Sequence, residues 1–76
     1  MTKAVVLKEK PPLPTGAITW ARSSRRASMY HAVDVFGISM CRQIKLERHR
    51  CHENPELHDM QYWGVCPRCY RKAVAA

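Results

Sequence analysis

The tightest constraint on this chain is the run Cys66-Pro67-Arg68-Cys69, a pair of thiols near the end of only 76 residues. A chain this short rarely holds a fold by apolar burial alone and needs a staple. Two residues between the cysteines let both sulfurs bend onto one ion in a tight turn, a spacing that recurs in structural zinc sites. That pair supplies half of a tetrahedral site. The other half has to come from upstream, where the chain offers Cys41, Cys51 and four histidines.

Two upstream sets compete. The first is His31 with Cys41, giving H-x9-C-x24-C-x2-C. If Val35-Phe36-Gly37 forms a three-residue hairpin loop, Gly37 supplies the left-handed third position. Asp34 then faces Ile38, and counting back along the ladder sets His31 directly opposite Cys41, with β-carbons about 5 Å apart on one face. A two-residue loop at Phe36-Gly37 would put them on opposite faces, so the ligand set predicts the loop length. The second set pairs Cys41 with Cys51 in a four-cysteine site. His49, His52 and His58 sit among charges and are read as solvated. Sulfur-rich tetrahedral sites suit zinc; an iron–sulfur cluster would want four thiolates at other spacings. Two disulfides are the remaining use of four cysteines, but they belong to secreted chains. The apolar run at the N-terminus, Ala4 to Leu7, is shorter than a signal peptide requires. Ala32 to Cys41 is too short to span a bilayer. A cytoplasmic location is therefore expected.

The residues His31-Ala32, Cys41-Arg42 and Cys66-Pro67-Arg68-Cys69 resemble a loose group of short zinc-finger-like proteins from actinobacteria and their phages. The likeness covers about half of the chain, from Tyr30 to Tyr70. It implies a zinc module rather than an activity, built as a β-hairpin with a C-terminal zinc turn and helix, like a zinc ribbon or treble clef. The group often has glycine after its first cysteine, where this chain has Arg42, and Cys51 is extra.

The rest of the chain fills in that frame. Residues 1–16 are read as a flexible, basic, Pro-rich arm, in which Lys8 and Lys10 precede the run Pro11-Pro12-Leu13-Pro14 that favours an extended polyproline conformation. Residues 17–76 form the zinc-binding domain. Ala17 to Arg22, Met29 to Val35 and Ile38 to Ile44 are read as three short strands from their β-branched and aromatic content. The charged run from Lys45 to Glu53 is a loop or short helix. Asn54 before Pro55 is a helix start, with the helix ending near Met60. The tail from Tyr70 has good helix formers. The predicted fold class is a small metal-stabilised α+β module.

Composition narrows the function. The formal charge is +7, from thirteen Lys and Arg against six acids. Residues 1–30 carry +5 of it and residues 31–76 the remaining +2. Such a balance favours nucleic acid or acidic partners. Arg22, Arg25 and Arg26 flank a turn beside Trp20 and Tyr30, and Arg68, Arg71 and Lys72 follow the zinc turn. These six are the candidate nucleic-acid contacts, with DNA the expected ligand and Trp20 and Tyr30 expected in the core. The alternative is a protein-binding regulator, phage-encoded, that docks on a larger host protein through Met60, Tyr62 and Trp63. For Trp63 the simpler expectation is packing over the zinc turn. Phosphate loops, H-E-x-x-H and nucleophile elbows are missing from the sequence. Glu47, Glu53 and Glu56 are more simply surface charges than general bases. The Cys66–Cys69 pair lacks the βαβ context of a redox motif. An enzyme, a small-molecule substrate and a membrane partner are therefore not expected.

Overall fold

The computed structural model describes residues 7–13, 16–24, 28–47 and 51–75. Its order is β1 (Thr19–Ser23), β2 (His31–Val33), β3 (Cys51–Glu53), α1 (Leu57–Trp63) and α2 (Pro67–Ala75). The strands form one antiparallel sheet in the order β2-β1-β3. This is the small α+β architecture anticipated, with a His/Cys cluster gathered towards the C-terminal helix.

The hairpin after β2 has the anticipated loop. The Gly37 amide donates to the Asp34 carbonyl at 3.0 Å, and the Asp34 amide to the Ile38 carbonyl at 3.0 Å. The carboxylate Oδ1 of Asp34 accepts from the Phe36 and Ile38 amides, which fastens the turn. Gly37 has φ of 81°. A β-carbon there would collide with the Leu46 carbonyl, whose own amide donates to Gly37 at 2.7 Å. Only glycine fits both demands.

Ile38 to Ile44 is not one strand, however. It pairs with β2 only through Val33 and Ser39, with the Met40 amide donating to Ala32 at 2.7 Å. The chain then turns at Cys41-Arg42. The Arg42 amide closes on Ser39, and the Ser39 amide on Ile44, so residues 44–46 run back beside residues 37–39. Arg42 takes φ of 58° to make that knuckle. The third strand comes instead from Cys51–Glu53, within the segment read as loop or helix. It carries no apolar alternation, and pairing with β1 is what makes it a strand.

Asn54 does not cap a helix. It sits at φ of 53°, its amide donates to Trp20, and its Oδ1 accepts from the Thr19 hydroxyl at 2.6 Å. It therefore closes the β1–β3 edge, and α1 starts two residues after Pro55 and ends at Gly64.

The larger core cluster joins Leu7, Trp20, Tyr30, Ala32, Met60, Val65 and Ala73 to three of the cysteines. Trp20 and Tyr30 are core residues, as expected. A smaller cluster of Ala21, Val33 and Leu46 lies apart from it. Within the proline-rich segment Leu7 and Pro11 are buried, and the Gln61 side chain donates to the Leu7 carbonyl at 2.9 Å.

Candidate metal centre

Three stretches of chain deliver four ligands. β2 presents His31, the knuckle presents Cys41, and Cys66 and Cys69 bracket the first turn of α2. Residues 64–66 are seated beside β2 by backbone alone. The Tyr30 amide donates to Gly64 at 2.9 Å and the Cys66 amide to Tyr30 at 2.8 Å, forming a short parallel bridge. Cys66 thus lies next to the strand that carries His31. Pro67 then opens α2, where its missing amide hydrogen and fixed φ suit the first helical position. One helical turn brings Cys69 round to the same point.

The candidate ligand atoms of His31, Cys41, Cys66 and Cys69 all lie within 4.8 Å of one another. Nδ1 of His31 is 3.7 Å from the Cys41 sulfur and 3.6 Å from the Cys69 sulfur. A zinc-sized ion bonded at about 2.3 Å to sulfur and about 2.0 Å to nitrogen sets such atoms about 3.6 Å apart in a tetrahedron. The donor set fits a metal ion in chemistry, and the two distances from His31 match that spacing. His31 and Cys41 complete the site, as the hairpin register required. Cys51 lies outside it, and all four cysteines are free thiols rather than disulfides.

The surroundings favour ligation. Burial lowers the pKa of His31 below its ordinary 6.5, which keeps the imidazole neutral and able to bind. Burial alone would raise the Cys41 thiol. Hydrogen bonds from the Ser39 side chain, the Gln43 amide, Cys69 and Cys66 outweigh it and leave that thiol below its usual range. Ser39 is buried, and its oxygen lies 3.1 Å from the Cys41 sulfur. Because that oxygen accepts from the Ile44 amide, its own hydrogen is free for the sulfur. Burial pushes the Cys69 thiol up to about 12, and negative charge on Cys66 and Cys41 adds to the rise. A cation among the sulfurs removes that conflict by stabilising every thiolate at once.

The six basic candidates separate. Arg25 and Arg26 lie outside the described residues. Arg22 is turned inward, with its guanidinium 3.8 Å from the centre of the Trp63 ring and 5.8 Å from that of Tyr30. Its Nε is buried with no hydrogen-bond partner, so attraction to the ring offsets its lost hydration. Arg68, Arg71 and Lys72 are exposed on α2 at spacings of three and four, hence on one helix face. Lys72 also donates to the Met40 carbonyl at 2.8 Å, tying α2 to the knuckle.

Of the apolar residues considered for an anchor, Met60 is fully buried. Trp63 is half-buried against the larger core cluster beneath Arg22, and Tyr62 alone stands out, 80% exposed. No described helix is long and apolar enough to cross a membrane. Compared with known proteins, the chain matches no family model, no curated protein and no solved structure.

Proposed function

We propose that this chain is a module built around a structural zinc ion that binds nucleic acid, DNA in particular, through the basic face of α2. The metal reading rests on the donor set. Three thiolates and one imidazole are the ligands zinc takes in closed tetrahedral sites. Four protein ligands leave no open position for a substrate or an activated water, so the ion's task is to fix the fold and not to catalyse. It supplies the staple that a chain of this length needs.

The nucleic-acid reading rests on one observation. Arg68, Arg71 and Lys72 project from one face of a helix whose first turn is bracketed by two of the candidate metal ligands. Such a face is rigid, and rigid cations on a helix suit the evenly spaced phosphates of a duplex. Zinc with three thiolates adds a single negative charge to the formal +7, so the chain stays strongly basic.

Titration of a fluorescent DNA duplex at several salt concentrations tests the reading. Binding is expected to weaken steeply with salt, with the slope falling by about two in the Arg68→Ala/Arg71→Ala variant. A chain with full metal content that does not bind the duplex at low salt, or whose double variant keeps the slope, would overturn it.

A further inference from the structure

Beside the knuckle, sharing Lys72 with the basic face of α2, lies a half-open cleft of about 280 Å³ lined by Ile18, Asp34, Ile38, Ser39, Met40, Arg42 and Lys72. Its apolar walls are Ile18, Ile38 and Met40. The two cations stand at its margin. The carboxylate of Asp34 is spent on the hairpin turn, where one oxygen accepts from two backbone amides. The carboxylate keeps its charge, so two cations against one anion leave the cleft at a net +1, with Lys72 also donating to the Met40 carbonyl. Next to this cleft the hairpin exposes further apolar surface, with Val35 54% and Phe36 73% exposed.

The knuckle sets Arg42 beside the cleft. Arg42 occupies a left-handed backbone position, φ of 58°, where glycine would sit without strain. Its side chain is exposed and reaches the cleft, so the strained backbone places a guanidinium at the cleft's margin.

We propose that this cleft is a docking site for an acidic peptide segment of a protein partner, with one aliphatic side chain seated over Ile18, Ile38 and Met40 and flanking carboxylates meeting Arg42 and Lys72. The cleft is large enough for one side chain and too open to enclose a small molecule. Charge complementarity selects acidic flanks, and the apolar walls separate such a peptide from a bare polyanion.

The probe is a short fluorescein-labelled peptide of glutamates and aspartates with one central leucine, compared with a twin carrying serine there. Fluorescence anisotropy on the metal-loaded full chain should show the leucine peptide binding about tenfold more tightly, the effect of burying one aliphatic side chain. Arg42→Gly relieves a strained position and should keep the fold, yet weaken the leucine peptide about fivefold to tenfold through loss of a charged hydrogen bond. Ile38→Ser, at an exposed site, should abolish the preference for leucine over serine. Neither variant should alter the affinity for duplex DNA. Equal binding of the two peptides, or unchanged affinity in Arg42→Gly, would sink the proposal. So would an equal loss of DNA affinity in Arg42→Gly, which would make the cleft part of the nucleic-acid surface.

Discussion

Among the described residues, Cys and His occur in two parts of this molecule, and only one part assembles them. His31, Cys41, Cys66 and Cys69 converge between β2, the knuckle and the start of α2. Cys51, His52 and His58 lie on β3 and α1 and do not join them. The Cys51 thiol instead donates to Glu53 at 3.6 Å, and the exposed His58 sits 3.3 Å from Asp59. Residue type is the same on both sides, so the difference is made by the backbone. The sheet order β2-β1-β3 sets a whole strand between Cys51 and His31. Two strand spacings are about 10 Å, beyond the reach of ligands on one ion. On the other side, a hairpin with an obligatory glycine, a tight knuckle and a parallel bridge aim three segments at one point.

The sharpest way to break this contrast is to change one cysteine from each side. Cys69→Ser, or removal of the metal with a chelator, should unfold the chain, because structural zinc contributes on the order of 10 kcal/mol to such folds. Cys51→Ser should leave metal content unchanged and shift stability by about 0.5 kcal/mol or less. Native mass spectrometry and circular dichroism read both. Metal lost from Cys51→Ser and kept in Cys69→Ser would reverse the assignment.

Acid should sharpen the contrast next. The folded chain holds His31 below 6.5 by burial, so near and below that pH the unfolded state binds the proton more readily. Stability is therefore present above pH 6.5 and declines as pH falls through it. Protons also compete with the ion for the imidazole and thiolates, which has the same sign. Denaturation midpoints measured from pH 8 to pH 5 should fall most steeply below pH 6.5; a profile flat down to pH 5 would remove His31 from the buried site.

A smaller effect is expected away from the metal. Arg22→Ala should cost about 1–2 kcal/mol, since it uncovers Trp63 and removes a cation–π contact, while leaving the salt slope of DNA binding unchanged. A lower salt slope in this variant would return Arg22 to the list of phosphate contacts.

Much of the site was legible before any fold was known. The C-x2-C pair announced it, and Gly37 set a loop length that carried His31 opposite Cys41. Both are local facts, encoded by spacing and by the one residue type that tolerates the turn. The run from Ile38 to Ile44 misled because its apolar content suits a strand, whereas Arg42 bends it into a knuckle that a glycine would have advertised. Cys51–Glu53 and Asn54 were misread for the converse reason. Their conformation comes from hydrogen bonds to β1, 28 or more residues away. Arg22 looked like a free cation because nothing near it in sequence hints at Trp63.

The sequence by itself determined that a metal-ligating pair lies in the C-terminal third, that His31 and Cys41 share a hairpin, and that the chain is basic. The tertiary structure decided which thiol is left over, which arginine turns inward, and that three cations share one exposed helix face. Spacing along a chain governs contacts within a turn or hairpin, while the choice between distant partners is made by strand order and burial, which no short window of residues contains.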